Sequence, residues 1–181
     1  KQSNGVKDAT RKLKVNMEAA LQPIASQAEL ISERMSRPYL GIDTSPAPLL
    51  DISIGRAIEA LSGVPFGSAS TLTACAAITD VLKNLDLKSC GYSGLMLPIL
   101  EDTTLAARAM QGRYSISDLL LFSSVCGTGL YVVPLAGDIP HKDLVALVSD
   151  VASLAKKYSK PLSARLFPVP GKKVGDIVKF N

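Results

Sequence analysis

Tryptophan is absent from the 181 residues, histidine occurs once and cysteine three times. With His141 alone, three widely spaced cysteines and no Cys-x-x-Cys, no zinc site and no other metal site is expected. Cys75, Cys90 and Cys126 are an odd number at wide spacing. That argues against a disulfide framework and for reduced thiols in a reducing compartment, which points to the cytoplasm. No apolar run approaches the ~18 residues of a membrane span. The longest candidate, Leu119–Val125, is broken by Ser123 and Ser124. The opening KQSNGVKDATRKLK is polar and basic, so no signal peptide is expected. It starts with lysine rather than methionine, so an upstream portion is expected to be missing.

Excess charge is also scarce. Twenty Lys and Arg stand against 16 Asp and Glu, a net +4, and the basic residues are scattered. The densest groups, Lys7–Lys14, Lys156–Lys160 and Lys172–Lys173, lack the aromatic interleaving of a nucleic-acid groove. The first two read as solvated helix faces. What is present is ordinary globular composition, long enough for one buried core.

Apolar residues from Leu13 to Met35 recur at steps of three and four, which predicts a long N-terminal helix over residues 1–37. Pro23 is expected to kink or split it, and Pro38 to end it. Residues 38–181 form a second unit in which short strands and helices alternate. Strands are predicted at Tyr39–Asp43, Gly94–Leu100, Leu130–Pro134 and Leu162–Val169. Helices are predicted at Ile54–Leu61, Thr71–Leu85, Leu105–Met110, Ser115–Phe122 and Pro140–Tyr158. Helical connections between short, unalternating apolar strands suit an α/β fold with mostly parallel pairing. The four strands make either a small open sheet or part of a larger barrel.

In such folds ligands sit where loops leave the strand C-termini. Four loops carry suitable chemistry. Asp43 ends a strand, and Asp51 follows two prolines, so either is a candidate acid or base, although Asp51 and Ser53 also suit helix N-caps. Cys90–Gly94 reads as a tight glycine turn, and Asp102 beyond the next strand as a helix cap. The run Ser123–Gly129 offers the Ser124 hydroxyl and the amides of Gly127, Thr128 and Gly129 to an oxyanion. Cys126 is the candidate nucleophile, alongside the alternative of a buried structural thiol. Arg165 interrupts an apolar strand and, with Lys172, could hold a phosphate or carboxylate; pairing with Asp43, Asp51 or Asp80 is the structural alternative.

The blocks YLGIDTSPAP, DISIG, TLTACAAITDVLK, CGYSGLMLPILED, LLLFSSVCGTGL and RLFPVPGKKVGD resemble the uncharacterised protein family 0210, domain of unknown function 711. The resemblance covers residues 38–180. It implies members about twice this length and an absent N-terminal half. At fold level it implies a ten-stranded α/β barrel similar to the pyruvate formate-lyase-like glycyl radical enzymes. A radical reading would match Cys126 to the thiyl cysteine and Gly171 or Gly175 to the radical glycine, but RLFPVPGKK lacks the expected motif. The chain departs from the family pattern at Ala69-Ser70 (Pro-Gly), Tyr131 (Asp) and Ala136 (Pro, in Pro-Gly-Asp), which implies a divergent member.

The expectation is an enzyme-like barrel binding a small anionic metabolite, its cofactor unknown. Its rival is a non-catalytic structural or binding protein in a larger assembly. The expected partners are a small anionic ligand and either a second copy, packed through Lys7–Met35, or the absent half. Neither nucleic acid nor a membrane is expected.

Overall fold

The structure, a computed structural model, describes residues 5–49 and 52–178. Asp51 lies outside them. Six helices and two strands follow in the order α1 (Val6–Met35), α2 (Ile54–Ser62), α3 (Thr71–Lys83), α4 (Thr103–Met110), α5 (Ile116–Cys126), β1 (Gly129–Ala136), α6 (His141–Tyr158) and β2 (Ser163–Val169). The class is α/β, with β1 and β2 in a parallel two-stranded sheet. Among the described residues no helix is long and apolar enough to cross a membrane.

Two expected strands are absent. Ile42 makes only an isolated parallel bridge to Ser89, and residues 94–100 join no ladder. Gly41 (φ 128) breaks the first segment, and Pro98, which has no N–H to donate, falls inside the second. Two strands pair among the described residues, fewer than the four expected as a small open sheet or as part of a larger barrel.

The expected kink also fails to divide α1, which runs through Pro23 for 30 residues. Ala19, whose carbonyl loses its N–H partner there, is exposed, so the break falls on the solvent side of the helix. Farther toward its N-terminus, α1 lays Leu13 and Met17 against the core. Beyond Pro23, Ile24, Ile31 and Met35 remain exposed.

The core gathers Ile58, Cys75, Leu82, Leu95, Leu105, Phe122 and Cys126 with Leu130, Val133 and Leu135 of β1. Phe66 sits edge-on to Tyr114 and Phe122, with centroids 5.0 and 5.2 Å away. A paired Arg108–Glu59 contact (2.7 and 3.1 Å) closes the α2–α4 side, and Glu59 also accepts the Phe66 amide at 2.8 Å. That second bond ties the turn after α2 to the helix pair.

Asp102 organises this half of the molecule. It caps α4 as expected, accepting the Thr104 and Leu105 amides, each at 3.0 Å. The same carboxyl, 1% exposed, also accepts the Ser53 hydroxyl (2.7 Å) and the Ile54 and Gly55 amides (2.6 and 3.2 Å). One side chain thus caps two helices. Gly55 permits the approach, because a Cβ there would lie 3.0 Å from Leu105 Cδ2 and Thr104 Cβ. Ser53 in turn caps α2 by accepting the Arg56 amide.

Removing this carboxyl would leave several buried amides unpartnered. Asp102→Ala is expected to cost on the order of 3 kcal/mol, and Asp102→Asn less, because one capping oxygen survives. Urea unfolding measures both, and an Ala variant within about 1 kcal/mol of the parent would contradict this account.

Candidate functional site

The two ends of the sheet are chemically different. At the N-terminal end, where β1 and β2 begin, the Asp43 loop, the Cys90–Gly94 turn and the Cys126–Gly129 turn meet. Asp43 accepts the amides of Ser45 (2.9 Å), Tyr92 (3.0 Å) and Ser93 (2.9 Å). Gly91 (φ 63) fits over it, since a Cβ there would fall 2.3 Å from Asp43 Oδ2. Gly94 donates its amide to Ser45 Oγ and lies against the Cys126 carbonyl, so the Asp43 loop and the glycine turn are neighbours.

Four donors of this run are engaged within the fold. The Gly127 amide caps α5 through the Ser123 carbonyl, and the Gly129 amide bonds Ser123 Oγ at 2.9 Å. Thr128 Oγ1 donates to the Leu95 carbonyl, and Ser124 Oγ to the Leu121 carbonyl. Cys126 is fully buried. The adjacent Cys75 thiol and burial push its pKa well up, against weaker opposing effects of Thr79 and Lys83. That is the environment of a packed thiol, not of an activated nucleophile.

Two cations that the sequence reading did not single out stand here. Lys83 Nζ is 3.5 Å from the Cβ position of Gly127. Lys160 Nζ donates to the Tyr92 carbonyl and lies over the Tyr92 ring. Burial and the Lys83 charge lower the Lys160 pKa. Both lysines sit where α3, α5 and α6 end, so they meet the negative ends of three helix dipoles. Only the fold reveals that convergence.

Arg165 is the third residue of β2, and its recorded partners are aromatic rings. It stacks on the Tyr131 ring at 4.6 Å and on Phe167 at 6.0 Å. A β-bulge at Tyr131-Val132 sets this face, with Val132 at φ 53, a strained value for a β-branched residue. Arg165 is exposed, and no ion pair to Asp43 or Asp80 forms.

The C-terminal end of the sheet holds a cavity of about 580 Å³. Ile99, Tyr114, Leu119, Val133 and Leu135 form an apolar floor, and the first residues of α5 and α6 lie beside it. Lys172 and Lys173 stand on the rim with Asp138, Asp143 and Asp176. The Gly137 amide bonds the Lys172 carbonyl (2.9 Å), which holds the tail against the β1–α6 turn. Of the residues expected from sequence, only Lys172 lines this cavity. Asp143 and Asp176 resemble ordinary helix-start and turn residues, and Asp138, though it stands in the Pro-Gly-Asp block, carries no role in the sequence reading. The available signal was Asp138, which directly follows a strand and a glycine.

The sequence profile of the family described as "Uncharacterised ACR (DUF711)" matches residues 2–181. A UPF0210 protein from Syntrophobacter fumaroxidans is 33% identical over 157 residues, covering 83% of this chain and 34% of that protein. Others from Lacticaseibacillus paracasei (30%, covering 84% and 36%) and Pyrobaculum aerophilum (32%, covering 81% and 34%) are similar. The chain spans about a third of the length of these relatives, less than the half implied by the resemblance.

The Asp43 staple has a pH signature. Partial burial raises its pKa, but the Ser45 hydroxyl and the amides of Ser45, Ser93 and Tyr92 together outweigh that and hold it below its ordinary 3.8. A depressed carboxyl stabilises above its unfolded value, and that stability is lost as pH falls through the folded one. Amide exchange protection at Tyr92 and Ser93 is therefore expected to drop below about pH 4, and to be low at every pH in Asp43→Asn. Equal protection in both proteins across the range would remove Asp43 from this role.

Proposed function

Since the chain belongs to the DUF711 (UPF0210) family of uncharacterised proteins, whose curated members are named without an activity, we propose from its geometry that it binds a small anionic metabolite at the C-terminal end of its parallel strands. The supporting observation is the cavity of about 580 Å³ with Lys172 and Lys173 on its rim. Its size and apolar floor suit a small ligand. The α6 N-terminus beside it has no side-chain cap, so backbone amides there add to the favourable field for an anion. Lys172 keeps the anion-holding role expected of it. Arg165, Ser124 and the Gly127–Gly129 amides belong to other surfaces, and Asp43 and Cys126 have structural partners. No acid–base or nucleophilic step is assigned to them, nor to Asp51.

The rival reading, a structural or binding part of a larger assembly, draws on a different observation. The Tyr131–Arg165–Phe167 face stacks on itself, and among the described residues only α5 and α6 of the helices pack against the strands. In relatives about three times as long, further strands would cover this face and close a larger barrel. The exposed Ile24, Ile31 and Met35 of α1 offer a second apolar surface to a partner or another copy.

The test uses 3-phenylpropanoate as an apolar anionic probe, titrated calorimetrically into the full chain. Lys172→Ala is expected to weaken binding roughly ten-fold, consistent with loss of one charge-assisted contact. An unchanged affinity in Lys172→Ala, or tighter binding of the cationic analogue 2-phenylethylamine than of 3-phenylpropanoate, would overturn the proposal.

A further inference from the structure

The rim carries charge of both signs in an unusual arrangement. Lys172 and Lys173 stand with Asp138 and Asp143 around one apolar opening. Among the described residues none of these four forms an ion pair with another, since the salt bridges there join other side chains. Asp176, the fifth charged lining residue, accepts the Lys173 amide at 2.8 Å and so shapes the tail turn. Asp138 follows β1, and Asp143 lies in the first turn of α6. The Lys172 carbonyl is bonded to Gly137, next to Asp138, so cationic and anionic side chains are anchored on adjacent backbones.

A purely anionic ligand would meet these carboxyls as well as the lysines. That repulsion opposes binding unless the ligand also carries a positive group. The carboxyls do not gather into a metal-holding cluster; no group of three or more His, Cys, Asp or Glu does so among the described residues. A separated pair of opposite charges above an apolar floor is complementary to a small zwitterion with an apolar body.

We propose that the cavity's ligand is an α-amino acid with a large apolar side chain. Its carboxylate meets Lys172 and Lys173, its ammonium meets Asp138 and Asp143, and its side chain enters the floor of Ile99, Leu119, Val133 and Leu135. This deepens the anionic reading above and rests on it.

The experiment compares L-phenylalanine, 3-phenylpropanoate (no ammonium) and 2-phenylethylamine (no carboxylate) on the full chain by calorimetry. L-phenylalanine is expected to bind at least ten-fold more tightly than either analogue. Asp138→Asn should erase its advantage over 3-phenylpropanoate without weakening 3-phenylpropanoate itself. Asp138 is exposed at the end of a strand, so this variant is expected to fold, with circular dichroism as the check. If 3-phenylpropanoate binds as tightly as L-phenylalanine, the zwitterion inference falls and the anionic reading stands. If the amine binds best, or no probe binds, both fall.

Discussion

A single buried carboxyl fixes the angle between two helices, and the placement of the rest of the core follows from it. Asp102 accepts donors from the starts of both α2 and α4, so neither helix can rotate or slide without exposing unpaired amides. The contact demands a glycine at position 55, because α2 must approach α4 closely there. Tyr114 then bonds the Leu105 carbonyl of α4 and presents its ring to Phe66. Burial, followed by the charge of Asp102, raises the Tyr114 pKa, so the phenol stays protonated and keeps donating that bond. The same ring lines the cavity at the strand C-termini. A capping interaction is thus connected, through one aromatic cluster, to the wall of the candidate site.

Local signals carried much of the architecture. The α1, α3 and α6 periodicities and the Ser53 and Asp102 caps depend on neighbours within a few residues, and they were legible. So were β1 and β2, whose apolar runs have partners here. The segments 39–43 and 94–100 read as strands for the same compositional reason. Strand pairing, however, requires a second chain segment at the right edge, and composition does not supply one. The Ser123–Gly129 run read as a loop on its hydroxyls and glycines. It instead continues α5 to Cys126, because Leu119, Phe122, Ser123 and Cys126 bury on one side.

The candidate site was legible only in part, and for a physical reason. Sequence identifies residue types able to do chemistry but not which end of a sheet they reach. Asp43 and the Cys126–Gly129 turn do come together, yet at the N-terminal end, where Asp43 and the Gly127 and Gly129 amides bond within the fold. Arg165 was singled out as a charge in an apolar strand. Its partners are aromatic faces rather than a carboxylate, a solution open to a planar guanidinium. Tyr131 supplies the nearer of those faces. Lys172 alone reached the cavity, and its companions Asp138 and Asp143 gain meaning only from their shared rim.

The central claim is positional: ligand recognition belongs to the C-terminal end of the sheet, not to the glycine turn at its other end. The most direct measurement is a map of backbone amide shifts in the isotope-labelled chain during titration with L-phenylalanine. The account predicts saturable shifts confined to residues 136–143 and 172–176, around the rim. Shifts centred instead on Tyr92–Gly94 and Gly127–Gly129 would contradict it.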